Sequence, residues 1–218
     1  MSVHEVVRQL PDISTVRRVS RALAVLDLVL CAEPESRYYV FDARWSDTEE
    51  AALMDNGSGD AYSIVFSPAG VYARGFSHES PMSPYGNEFG HTWPGLFDGL
   101  PAEFEETMDE PAFADEDGRR LVTTCFWRRT EDAEWSCGPV ENVIDDGAGK
   151  LFELLTDPRP EAYLTFAEDH YERALDLEAV RHVYALMPLS EYVVTSLNRE
   201  RQLGDLTEEI AEIGYPRS

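Results

Sequence analysis

Lysine is almost missing from this chain. One residue, Lys150, stands beside 17 arginines, and 42 acidic side chains against 18 basic ones leave a formal charge of −24 over 218 residues. Basic residues are too outnumbered for a nucleic-acid binder, because a phosphate ligand needs Lys and Arg and would meet net repulsion here. Cysteine is also sparse. Three scattered residues, Cys31, Cys125 and Cys137, exclude a disulfide framework and a Cys-rich zinc module. No long hydrophobic run exists either. The most apolar stretch, Ala22 to Ala32, carries Asp27 at its middle and falls well short of the roughly 20 apolar residues a membrane span needs. Leu28, Val29 and Leu30, just before Cys31, are too large for a lipoprotein cleavage site. Phosphate-binding glycine motifs are missing: there is no P-loop, and Gly57 and Gly59 do not open a helix. Glu79-Ser80-Pro81 lacks the glycines of a nucleophile elbow. These absences lead us to expect a cytoplasmic protein with reduced thiols and no processed leader.

What is present builds a core. The composition is 43% hydrophobic and 11% aromatic, enough for a packed domain. Val16, Val19, Leu23, Leu26 and Leu30 repeat at helical spacing, so the run around Asp27 reads as a core helix over 13–32, started by Pro11-Asp12 and stopped by Pro34. From Arg37 the pattern becomes strand-like. Tyr38 to Phe41 is aromatic and β-branched, and Ala51 to Met54 is a short partner. Asp55-Asn56-Gly57-Ser58-Gly59-Asp60 is a turn, and Ala61 to Ser67 alternates. Ser67-Pro68-Ala69-Gly70 turns again, and Val71 to Phe76 returns with Tyr72, Arg74 and Phe76 on one face. Ser77 to Trp93 has no period and reads as a long loop. A short helix is expected over Leu100 to Met108. Strands are expected over Leu121 to Trp127 and Trp135 to Cys137, and helices from Gly147 onward, interrupted by Pro158, Pro160 and Pro188. Tyr163, Ala167, Tyr171 and Ala174 form one apolar stripe. Leu177, Val180, Tyr184 and Met187 form a second, and Leu203, Leu206, Ile210 and Ile213 a third, with Asp205 and Glu208 as a capping box. The fold expected is α+β in one domain over 1–218: an N-terminal helix, a mostly antiparallel sheet within 37–140, and a helical C-terminal layer over 147–214.

Chemistry-bearing constellations are few. Asp55 to Asp60 lacks the ligand alternation and sixth-position glycine of a calcium loop, so it reads as a hairpin turn. His78, Glu79 and His91 supply the donor types of a three-ligand zinc site, but thirteen residues of Pro- and Gly-rich chain separate the histidines, and no metal or cofactor is expected. Cys125 and Cys137 fall in strand-like runs with no adjacent base.

Charge distribution carries the most information. Residues 78–118 hold eleven acids and no Lys or Arg, with Trp93, Phe97, Phe104 and Phe113 interleaved. A like-charge run of this kind is a solvated face or an acidic, aromatic docking surface for a basic partner. On the docking reading, the binding residues are Trp93, Phe97, Glu103, Glu105, Glu106, Asp109 and Glu110.

Asn56-Gly57-Ser58-Gly59-Asp60-Ala61-Tyr62-Ser63-Ile64-Val65-Phe66 resembles bacterial toxin-immunity proteins of the SUKH type, in which a Gly-rich turn precedes an aromatic strand of an α+β fold. The resemblance covers these eleven residues and transfers no site residue. It implies a non-catalytic protein that occludes a cognate toxin, and a basic toxin would suit an acidic surface. The function expected is therefore a non-enzymatic, cytoplasmic protein-binding protein with a basic protein partner and no nucleic-acid or membrane partner. The alternatives are a hydrolase working through His78, Glu79 and His91, and an oligomeric structural or regulatory protein.

Overall fold

In a computed structural model that describes residues 1–141 and 143–217, the chain opens with two helices, α1 (Val3–Gln9) and α2 (Ile13–Leu30). The Glu5 carboxylate takes the Ser2 N–H at 2.8 Å at the start of α1. Asp12 caps α2, accepting the Thr15 N–H at 2.9 Å, a donor that no helical carbonyl could satisfy. All five residues of the expected stripe are buried. So are Ala22, Ala24, Val25, Leu28 and Val29, so α2 is enclosed on every side from Ala22 to Leu30. Truncating such a residue, Leu23→Ala for example, removes about 2–5 kcal/mol of stability. The helix stops at Leu30, two residues short of the expected end, where Cys31 takes an extended conformation.

Five strands follow in a meander: β1 (Tyr39–Asp42), β2 (Glu50–Asp55), β3 (Ala61–Ser67), β4 (Gly70–Phe76) and β5 (Thr124–Arg129). They lie in the order β1-β2-β3-β4-β5, and every neighbouring pair is antiparallel. The β3–β4 turn closes Ser67 against Gly70, whose φ of +145° and close approach leave no room for a side chain. A Cβ there would sit 2.3 Å from the Arg128 carbonyl oxygen. Between β4 and β5 runs the segment 77–123, made of turns, the short helix α3 (Glu105–Met108) and two 3₁₀ turns at Ala102–Phe104 and Pro111–Phe113. The C-terminal part holds α4 (Ala148–Leu151), α5 (Glu153–Thr156), α6 (Pro160–Tyr171), α7 (Leu177–Tyr184), α8 (Glu191–Leu197) and α9 (Thr207–Glu212). The fold is α+β, as the alternation of the two periodicities implies.

The sheet is buried on both faces. Tyr62, Ile64, Phe66, Val71, Ala73 and Phe126 point into the larger core, built against α2 and the C-terminal helices. Tyr72, Cys125 and Trp127 point the other way, into a second core closed by Met82, Leu96, Phe104, Val122 and Val140. The segment 77–123 is thus a third layer, lying over the second face of the sheet.

Several local expectations are corrected. Ala174 and Met187 leave their stripes: α6 ends at Glu172 (φ 52°), Leu186 (φ 51°) turns the chain after α7, and both residues are exposed. Asp205 caps nothing, since it lies within a 3₁₀ turn, Leu203–Leu206, that runs directly into α9. The last strand is Thr124–Arg129 rather than Leu121 to Trp127. Thr123 is held just before it, its N–H bonded to the Gly75 carbonyl and its hydroxyl to that of Asp146. Trp135 to Cys137 contributes a single bridge, Trp127 with Ser136, not a strand.

One buried carboxylate ties the first layer together. Asp27 is fully buried in α2. It accepts the Tyr38 and Tyr39 N–H groups at 2.7 and 2.8 Å, the Tyr171 hydroxyl at 2.7 Å and the Tyr163 hydroxyl at 3.4 Å. Burial pushes its pKa up to about 6 despite these four donors. None of the described helices is long and apolar enough to cross a membrane.

Candidate functional site: an acidic groove beside a cationic cavity

Phe113 stands at the junction of the candidate site. Its ring stacks on Trp45 of the β1–β2 loop, with centroids 5.8 Å apart and planes at 7°, and carries the Arg74 guanidinium at 4.5 Å. Two concavities flank this trio.

The first is a groove between the β1–β2 loop and the third layer. Asp42, Trp45 and Glu49 line it from one side, Glu103, Glu106 and Glu110 from the other, in a cavity of about 700 Å³. Glu103 and Glu106 stand three apart in the 3₁₀ turn and α3, and Glu110 follows as the cap of the Pro111–Phe113 turn, bringing a third carboxylate to the groove. Among the described residues, none of the five carboxylates forms an ion pair. Asp42 takes the Arg44 N–H, Glu49 the Ser46 hydroxyl and Glu110 the Ala112 N–H.

The second concavity, about 450 Å³, opens between the 84–97 stretch and the 108–122 stretch. Asp109 faces this side, where its carboxylate takes the Arg120 Nε–H at 2.9 Å. Arg119 lies beside Asp115 and Asp117. Asp115 also accepts the Arg119 N–H, which holds its carboxyl below the ordinary range. The acids of 78–118 are therefore not all without counter-ions: the two arginines that follow the stretch fold back on three of them.

The seven expected binding residues separate. Glu103, Glu106 and Glu110 meet in the groove, Glu105 is exposed outside it, and Asp109 belongs to the second cavity. Phe97 is half-buried, with Arg120 at 5.9 Å over its ring. Trp93 is half-buried and packs edge-on against Phe89 at 5.4 Å. Both aromatics pack against the second core and away from the groove. Trp45, Asp42 and Glu49 take the places at the groove, and only their position beside Phe113 in the fold reveals them.

His78 sits among Phe76 and Tyr85, while His91 packs by Phe89 and bonds the Thr92 carbonyl through Nδ1. Among the described residues, no three His, Cys, Asp or Glu side chains are grouped so as to hold a metal ion. Cys125 is buried, and its thiol is pushed up to about 12 by that burial. The three cysteines are free.

No family model matches the chain, and neither a curated protein nor a solved structure matches it. The likeness of residues 56–66 to SUKH-type proteins thus rests on those residues alone.

Proposed function

We propose that the protein is a non-enzymatic, cytoplasmic binding protein that docks a basic protein segment in the groove between Trp45 and α3. The supporting observation is the convergence of Asp42, Glu49, Glu103, Glu106 and Glu110 on one concavity with no cation among its lining residues. Five carboxylates facing one another repel, and water screens that repulsion only in part. An incoming Arg or Lys relieves it, and the complementary field also speeds encounter. Trp45 supplies a flat aromatic wall against which a guanidinium or an aliphatic stem packs. An immunity-type inhibitor of a basic toxin is the most concrete form of this reading.

The test is capture from source-cell lysate at low and high salt with three proteins: the wild type; a variant with Glu103, Glu106, Glu110 and Glu49 changed to Gln and Asp42 to Asn; and a control with the exposed acids of α6 and its end, Glu168, Asp169 and Glu172, neutralised. A partner retained by wild type and control, lost by the groove variant and weakened by salt is the expected result. Equal recovery by all three sinks the proposal.

A further inference from the structure

The cavity on the other side of Phe113 contains a cation without a matching anion. Arg74 lies on the second face of β4. Its Nε–H bonds Ser63 Oγ at 2.9 Å, and Nη1 donates to the carbonyls of Phe113 and Leu121 at 2.7 and 2.5 Å. All three partners are neutral. Among the described residues no carboxylate comes within 4.0 Å of the guanidinium, and Nη2 donates to nothing. Burial pushes the guanidinium down to about 10, the mark of a cation stripped of water without an opposing charge. Asp109 and Glu110, which share the cavity wall, are engaged elsewhere, with Arg120 and the Ala112 N–H.

A second polar group lies beneath the same place. Tyr72, two residues earlier on the same face of β4, is 1% exposed and lines the cavity. Its hydroxyl is buried and bonded to no protein oxygen or nitrogen. The Cys125 thiol beside it is a weak partner. The hydroxyl is sealed from water, so Tyr72 belongs to the floor of the cavity and does not reach its contents. Phe97, Phe113, Met108 and Val122 supply apolar walls, and Arg120 adds a second guanidinium at the rim. Convergent donors in an apolar cavity of about 450 Å³ describe a small-molecule site.

We propose that this cavity binds a small organic oxyanion with a flat apolar body, its charged end between Arg74 and Arg120 and its body against Phe97 and Phe113. A guanidinium fork suits carboxylate and phosphate oxygens equally, so the recognised chemistry is the oxyanion on a ring-sized scaffold. The site shares Glu110 with the acidic groove but uses neither Glu103 nor Glu106.

Calorimetric titration of the full chain tests it with four probes: benzoate, phenyl phosphate, benzyl alcohol and inorganic phosphate. At least one of the two aryl anions should bind saturably at one site in the millimolar range or tighter. Benzyl alcohol and inorganic phosphate should each bind at least about tenfold more weakly, since one lacks the charge and the other the body. Arg74→Gln should abolish binding but also loosens the 113–121 loop. Arg120→Gln therefore decides the matter, weakening the aryl anion about tenfold while circular dichroism stays unchanged. A Glu103→Gln/Glu106→Gln variant should bind the anion as the wild type does, whatever becomes of protein capture. Any of three results overturns the proposal: no saturable binding of either aryl anion, equal binding of benzyl alcohol, or unchanged affinity in Arg120→Gln.

Discussion

Replacing Asp27 by Asn should stabilise this protein at neutral pH and do almost nothing at pH 4. Folding raises the Asp27 pKa from 3.8 to about 6, because burial disfavours the charged form more than four donors favour it. A carboxyl raised by folding makes the native state bind more protons than the unfolded one between these values. Its contribution therefore favours the native state below about pH 4 and is lost as pH climbs through about 6. Roughly two pH units correspond to about 3 kcal/mol. The amide resembles the protonated carboxyl: its oxygen can accept the Tyr38 and Tyr39 N–H groups, and its NH₂ can donate to the two tyrosine hydroxyls. Urea unfolding of both proteins from pH 4 to pH 8 should give curves that coincide at the acid end and separate by up to about 3 kcal/mol above pH 6, the variant being the more stable. Surface carboxylates titrate alike in both proteins and cancel in the difference. Asp27→Ala should lose about 3–5 kcal/mol at pH 4, since it orphans two backbone donors and two hydroxyls, and that deficit should shrink by up to about 3 kcal/mol above pH 6. A difference between wild type and Asp27→Asn that does not change with pH, or that widens toward acid, would refute the reasoning.

Other outcomes follow from single contacts. Gly138→Ala should destabilise by about 3 kcal/mol in thermal or urea unfolding, because a Cβ at that position would lie 1.9 Å from the Gly95 carbonyl oxygen and 2.6 Å from that of Leu96. Trp135→Phe removes the indole N–H bond to the Pro11 carbonyl at 2.6 Å and should cost about 1–2 kcal/mol by the same measurement. Cys125, buried with its thiol pushed up to about 12, should resist a thiol reagent at pH 8 in the native protein and react once urea unfolds it, while half-exposed Cys31 reacts in both states.

The sheet was legible because its signals are local. Asn56 to Asp60 and Ser67 to Gly70 mark turns, and alternation on either side sorts Tyr62, Ile64 and Phe66 from Ser63 and Val65, the faces the two cores occupy. Helix α2 was legible from Asp12 and the spacing of five apolar residues. Helix α8 was not, because seven residues give too short a period, although Ser190 caps it through the Val193 N–H. The role of Asp27 was invisible for a different reason: Tyr163 and Tyr171 lie 136 and 144 residues away along the chain. The candidate site mixes both cases. Glu103, Glu106 and Glu110 stand in one acidic run, while Asp42, Trp45 and Glu49 reach them only through the stacking of Trp45 on Phe113. The pairing of Arg119 and Arg120 with Asp109, Asp115 and Asp117 requires a fold-back that no local pattern encodes.

The meander has a kinetic consequence. Strands β1 to β4 pair across short connections and can zip together one hairpin after another, at rates typical of local contacts. Strand β5 is different, since its pairing with β4 closes the whole segment 77–123 into a loop. Closing such a loop costs only about 0.6 kcal/mol more than closing one half as long, but it must precede the contacts that reward it. A chain that pairs β1 to β4 before β5 would leave the second face of the sheet, with Tyr72 and Arg74, open to water. Both the groove and the cavity are walled by the 77–123 segment, so binding competence should appear as that segment settles on the sheet and not with the first pairing of β1 to β4.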